Sequence, residues 1–405
     1  MQGQKPGNLL AITLGLVVLA CAQWATPLKC QSLLPPHLQD RANRLFDQPS
    51  ETEQLNCKIW PSKVFLDFTF RFGAGFGVSC PVWQFGGRRT RVTIFVRVTP
   101  KGGTPVLLGA FLVFRGLPLK PPPGGKINRK LYFITHGGFS VGEGRYRVEV
   151  LLEDQHHRTR RRSWQIKVSR RRQKSVPVVL AAHQVSSMHI PAWRGPQAKG
   201  GLRLAVLLSA GSFSPRAARL GAGYQLMLLQ ILSSLLQQVP CKSVRLVAFN
   251  LDQERVIYRT DEFKPSGFAR LQRAFNRLNL GVVSVKTLQR RNEWPQMLAR
   301  LTNEQLTAQP PPDAVIILGR SFRWVSNAPR ELWMFPYLQM PQFFYFENGP
   351  QNLFPDSLGF LAKSVKGKIY RISTPHDLGD AIKKMLGELG ETRRPAETTP
   401  IHPKK

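Results

Sequence analysis

Ser212 stands in the stretch Ser209-Ala210-Gly211-Ser212-Phe213-Ser214, between an apolar run at Leu202 to Leu208 and an apolar helical pattern at Tyr224 to Val239. A serine on a sharp turn from strand to helix, flanked by small residues, is the arrangement of a nucleophile elbow. In such a site a histidine takes the hydroxyl proton and a carboxylate orients the histidine. Asp356 and His376 follow Ser212 in the chain order of the α/β-hydrolases. The elbow glycines are missing, the apolar run is the first of its segment, and no glycine-rich oxyanion loop precedes it. A secreted serine hydrolase using Ser212, Asp356 and His376 is therefore the second reading; the first is a chain that is not an enzyme.

Other chemistry has few candidates. There is no phosphate-binding glycine loop, no dinucleotide fingerprint and no pair of carboxylates in an apolar pocket. His156 and His157 adjoin in a polar turn, where their side chains diverge, and no Cys/His spacing resembles a zinc site. The expectation is no cofactor and no metal. Charge is the larger signal: 58 Lys and Arg against 24 Asp and Glu give a formal charge of +34. Such an excess attracts polyanions at long range. It is densest at 158–174, with nine basic residues and no acid. Arg160, Arg161, Arg162, Arg170, Arg171 and Arg172 are the candidate polyanion stripe, and a charge-protected edge strand is the plainer alternative.

The chain opens with Lys5, an uncharged apolar run from Leu9 to Ala20, and small residues, which is the layout of a secretory signal peptide. The run is too short to span a bilayer. Ala20-Cys21-Ala22 fits signal-peptidase cleavage, while Val18-Leu19-Ala20-Cys21 resembles a lipobox, so Cys21 is a possible lipidation site. Export to the envelope or medium makes nucleic acid an unsuitable partner and leaves an extracellular protein or an anionic polysaccharide. The membrane is reached only through Cys21. Setting Cys21 aside leaves Cys30, Cys57, Cys80 and Cys241, which allow three pairings. Cys57 with Cys80 is the preferred bridge, and a free, buried Cys241 is ordinary.

The elements that position these residues follow two periods. From Lys63 to Val168 apolar residues recur at every second position: Leu66, Phe68, Phe70 and Phe72; Val92, Ile94, Val96 and Val98; Tyr146, Val148, Val150 and Leu152. That is the mark of strands with one buried face. Glycine and proline clusters supply the turns of an immunoglobulin-like β-sandwich, with Tyr146 placed as a corner tyrosine. After 201 the period changes. Continuous apolar strands at Leu202 to Leu208, Ala314 to Leu318, Phe343 to Phe346 and Lys368 to Ile372 alternate with helical patterns, and Val244 to Tyr258 reads as a hairpin. A further strand is expected at Val282 to Val285. The divisions are a signal peptide at 1–22, an N-terminal segment at 23–56, the sandwich at 57–175, a linker at 176–200, an α/β domain at 201–390 and a tail at 391–405.

This order of elements resembles a von Willebrand factor A domain, and the whole layout resembles the VWFA-related secreted proteins of acidobacterial type. The resemblance implies a multidomain fold, an N-terminal all-β immunoglobulin-like sandwich followed by an α/β von Willebrand factor A-like domain of Rossmann type. Members of that family that bind through a metal carry Asp-x-Ser-x-Ser after the first strand and an Asp after the fourth. Here Ala210 stands in place of the first Asp, Ser212 and Ser214 match the serines, and Gly319-Arg320-Ser321 offers no carboxylate. Hydroxyls beside an arginine hold a divalent cation poorly. The resemblance thus implies a lost metal site and an exported, non-catalytic binding or adhesion module. Its contact residues would be Ser209, Ser212, Ser214 and Arg320 at the carboxyl edge of the sheet.

Overall fold

The computed structural model describes residues 32–48, 55–85, 89–115, 130–169, 178–190, 193–197, 201–212, 217–280, 293–321, 340–349 and 356–392. Among the described residues strand outweighs helix, 41% to 29%, in three sheets and six helices. This corrects the expected fold class of an immunoglobulin-like sandwich followed by a Rossmann-type α/β von Willebrand factor A-like domain. Ten of the sixteen strands among the described residues lie in two five-stranded sheets whose pairings are antiparallel, and the third sheet is mixed. The order of helices and strands along a chain does not specify which edges pair, and pairing decides the class. The expected strand at Val282 to Val285 lies outside the described residues.

The described residues divide into two compact units. The first holds two sheets. One has the order β1 (Ser32–Leu33), β6 (Val106–Arg115), β5 (Arg89–Pro100), β8 (Gly144–Asp154), β9 (Thr159–Val168). The other runs β10 (Val185–Ser187), β7 (Tyr132–Val141), β4 (Phe72–Pro81), β2 (Lys58–Pro61), with β3 (Phe65–Leu66) also on β4. Alternation buries Val92, Ile94, Val96 and Val98 of β5 and Tyr146, Val148, Val150 and Leu152 of β8. The period continues through Phe68 and Phe70 in the sequence, yet the strand stops at Leu66. Asp67 is the reason: its side chain accepts from the Thr69 amide at 2.8 Å and hydroxyl at 2.6 Å, a local turn that competes with the ladder.

The apolar residues out of phase, Phe95 and Leu151, have a partner that the alternation did not show. Helix α1 (Pro36–Asp47) lays Ala42 and Phe46 on them and on Leu107, with proline at its first turn. Charges surround this contact. Arg41 grips Glu153 through two 2.8 Å bonds, and Arg97 bridges Glu149 and Asp47, each at 2.7 Å. Cys57, just before β2, is joined to Cys80 of β4 by a disulfide.

Tyr146 donates to the Gly142 carbonyl at 2.8 Å, and burial pushes its phenol up to about 12. The native state therefore holds this proton more tightly than the unfolded chain, where a tyrosine titrates near 10. Its contribution to stability is complete below pH ~10 and is lost as pH rises from there toward 12. Tyr224, Tyr258, Tyr345 and Tyr370 are also raised, chiefly by burial. Unfolding free energy measured by urea titration is expected to fall across that alkaline window, and less steeply in Tyr146→Phe; equal slopes would remove Tyr146 from the account.

The second unit is built on β13 (Arg255–Thr260), β12 (Cys241–Asn250), β11 (Leu202–Ser209), β14 (Ala314–Gly319), β15 (Gln342–Asn348) and β16 (Lys368–Ile372), in that spatial order. All neighbours are parallel except β13 on β12. β11 is apolar at nearly every position because both of its faces are covered. Ala205 and Leu207 meet a core with Leu298 and Leu301 of α4 (Trp294–Leu306) and Leu358 and Leu361 of α5 (Ser357–Ser364). Leu204, Val206 and Leu208 face the other way and are equally buried. On β14, helix α2 (Ala222–Gln238) makes contact and buries Leu228, Ile231, Leu232 and Leu235. The remaining helices are α3 (Gly267–Arg277) and α6 (Pro375–Thr392).

Candidate functional site

Strand β11 has β12 on one side and β14 on the other, so the strand order reverses at β11, and the carboxyl ends of β11 and β14 lie side by side. In open sheets such a point leaves a crevice between diverging connections. Here backbone and side chains close it. Ser209 Oγ donates to the Arg320 carbonyl at 2.8 Å. Gly319 is required for that approach: its φ is +115°, and a Cβ would fall 2.5 Å from the Ser209 carbonyl oxygen. A Cβ at Gly211 would likewise fall 2.7 Å from the Arg320 oxygen. From the β12 side, Asn250 Nδ2 donates to the Ala210 carbonyl at 2.7 Å, and the Ala210 amide donates to Phe249 at 2.8 Å.

The fourth wall is Asp356, the N-cap of α5. One carboxylate oxygen accepts from the Gly359 amide at 2.6 Å, which caps the helix. The other accepts from the Tyr345 hydroxyl at 2.8 Å and the Ser321 amide at 3.2 Å. Ser357 Oγ donates to Ser321 Oγ at 2.8 Å. The carboxylate that the stretch Gly319-Arg320-Ser321 lacks in sequence is thus supplied in space from another element. Its negative charge, after burial, holds the Tyr345 phenol well above the tyrosine range. Burial, then Asp356, raises the Glu347 carboxyl, with Arg371 and Arg320 opposing.

This arrangement positions residues but does not expose them. Ser209 is 1% exposed, Arg320 3% and Ser212 8%. Ser214 lies outside the described residues. The expectation that Ser209 and Arg320 meet a partner directly is therefore corrected: both side chains are inside the fold. A divalent cation does not fit these donors, since the Ser209 hydroxyl is committed to a carbonyl and the charge of the buried Arg320 bears on the neighbouring Glu347. Among the described residues no group of three His, Cys, Asp or Glu converges as metal ligands. Nor are the hydrolase residues brought into relay. Asp356 caps α5 and serves Tyr345, while His376 Nδ1 lies 3.1 Å from Asp380 one turn further along α6.

The arginines of β9 do not form one stripe. Strand residues alternate in direction, and Arg160 and Arg162 pair with Leu152 and Val150, sharing the parity of the buried residues Tyr146, Val148, Val150 and Leu152. Arg162 donates to the Ile59 carbonyl of β2, linking the edges of the two sheets of this unit. Arg161 points the other way, its guanidinium 5.5 Å from the Phe46 ring centroid. Arg162 is exposed and Arg160 half-buried, and charges on an edge strand guard it against pairing with other chains. Arg170, Arg171 and Arg172 lie outside the described residues, as does Cys21.

In the sequence Asp356 stands out only as a possible triad member, and Asn250 and Tyr345 carry no sign of their roles. The one local sign was Asp356-Ser357 ahead of an apolar run, an N-cap signature.

No family model matches the chain, and no curated protein matches it. Solved structures overlap it in part. The superoxide reductase (neelaredoxin) of Archaeoglobus fulgidus aligns at 10% identity and TM-score 0.19 over 31% of this chain and 99% of its own. The ArnB paralog VWA2 of Sulfolobus acidocaldarius aligns at 13% identity and TM-score 0.26 over 59% of this chain, which spans about half, 49%, of VWA2. The ApaA protein of Bordetella pertussis aligns at 9% identity and TM-score 0.16 over 30% of this chain and 99% of its own. Overlaps this weak assign neither fold nor function.

Proposed function

We propose that the chain is an exported, non-catalytic binding protein that takes an acidic polymer, an anionic glycan in particular, on its cationic surface. The observation that carries this is the excess of 34 positive charges. Ion pairs within the protein cannot absorb it, because the acids run out first. Where the register is known, cations are even set against one another: Arg145 and Lys167 are directly opposite on β8 and β9, and both are exposed. Like charges so placed repel and weaken the sheet, so a bound polyanion relieves them. Arg147, on the same face, is 63% exposed. Export is supported by the signal-like run from Leu9 to Ala20 and by the Cys57–Cys80 disulfide, which suits an oxidising compartment.

The test is retention on immobilised heparin. The full chain is expected to elute only at high salt, with retention falling steeply as salt rises, because counterion release dominates such binding. Replacing Arg145, Arg147 and Lys167 together by serine is expected to shift elution to clearly lower salt. Elution of the wild type in the void at low salt would end the proposal.

A further inference from the structure

Strand β4 buries Phe72, Ala74, Phe76, Val78 and Cys80, and alternation sends Gly73, Gly75, Gly77 and Ser79 to its opposite face. That face is consequently a shallow trough, and aromatic rings lie in it. A Cβ at position 77 would fall 2.2 Å from Cε2 and Cζ2 of Trp60, and one at 73 would fall 2.7 Å from Cζ of Phe65. Trp60 is therefore held against the β4 backbone, half-buried, by the absence of a side chain at Gly77. The His136 ring stands at 86° to it, 6.1 Å away.

The cross-strand register extends the surface. Trp60, Gly77 and His136 form one row; Lys58, Ser79 and Ile134 form the next; Pro81 and Tyr132 form a third. Ile134 is 60% exposed and Tyr132 54%. From His136 to Tyr132 the row spans four residues, about 13 Å along the strand. Contiguous exposed aromatic and apolar groups on a soluble protein mark an interaction surface. Among the described residues, none of the strands β2, β3, β4, β7 and β10 contains an Asp or a Glu, and Lys58 lies within the patch.

We propose that this face binds a uronic-acid polysaccharide, its sugar rings stacked on Trp60 and Tyr132 and its carboxylates met by Lys58 and His136. The reading rests on the binding function proposed above and adds to the cationic face of β8 and β9 a second contact surface and a ligand class. The face of an aromatic ring is electron-rich and attracts the polarised C–H bonds of a sugar ring. A helix or a second protein would need no such elongated, acid-free row, and the length suits an oligosaccharide rather than a single sugar.

Titration calorimetry of the full chain at low salt, with polygalacturonate and with polyphosphate as a polyanion that lacks rings, tests the assignment. Trp60→Ala is expected to weaken polygalacturonate binding about tenfold and to leave polyphosphate binding unchanged. Ile134→Glu and Tyr132→Ala, at side chains more than half exposed, are expected to weaken polygalacturonate binding similarly and keep the test open should Trp60→Ala fail to fold. Wild-type affinity for polygalacturonate in all three variants overturns the platform and leaves the proposed function standing. Binding of neither polymer by the wild type ends both. A single-stranded oligonucleotide bound more tightly than polygalacturonate through Trp60 overturns the sugar assignment. So does a wild-type dimer that Ile134→Glu disperses.

Discussion

Asp356→Ala is expected to lower the unfolding free energy by about 4 kcal/mol, the largest single-residue effect foreseen for this chain. Three losses combine. The N-cap of α5 disappears with the 2.6 Å bond from Gly359, which costs about 1 kcal/mol. The Tyr345 hydroxyl and the Ser321 amide then lose an acceptor inside the protein, at about 1–3 kcal/mol each. Tyr345 is fully buried in the core against Leu358 and Leu361, so water does not replace the carboxylate. Asp356→Ser retains a cap acceptor but not the reach to Tyr345, and is expected to recover only the cap. Urea denaturation of the three proteins reads this directly. A loss of less than about 1 kcal/mol in Asp356→Ala would show that the junction of β14, β15 and α5 does not depend on this carboxylate.

Reduction of the Cys57–Cys80 disulfide, or its replacement by two serines, is expected to cost about 3 kcal/mol. The bridge closes a loop of 23 residues, and the lost restriction of the unfolded chain has that size in the loop-entropy account. It ties the strand β2 to β4 at the end of their ladder, one residue from the Lys58–Ser79 pair. The measurement is the urea midpoint with and without dithiothreitol. Cys241 does not confuse it. Its thiol is buried, donates to the Val239 carbonyl at 3.0 Å and is raised to about 12 by burial, so it stays unreactive in either condition. An unchanged midpoint on full reduction would mean that β2 is held by its ladder alone.

The sequence by itself determined the short-range features of the protein. Alternation located β5 and β8 because one face of each is buried, and the unbroken apolar run of β11 followed from burial on both faces. Helix α2 lies close to the apolar pattern at Tyr224 to Val239, and the surplus of positive charge is a matter of composition. Helix α1 and the brief α5 were missed, since the first is mostly polar and the second spans only eight residues.

Only the tertiary structure decided the rest. It overturned the fold class, because strand pairing is a long-range choice that local periods do not encode. It set Arg160 and Arg162 on the face of Val150 and Leu152 and Arg161 on the other, dividing the first half of the expected stripe of Arg160 to Arg162 and Arg170 to Arg172. It placed Asp356 beside Ser321, 35 residues earlier in the chain, and laid Trp60 over Gly77. Each of these contacts joins segments whose separate residues carry no sign of the other. The physical reason is common to all: a side chain's role depends on what lies across the sheet from it, and register is settled by the whole core rather than by neighbours in sequence.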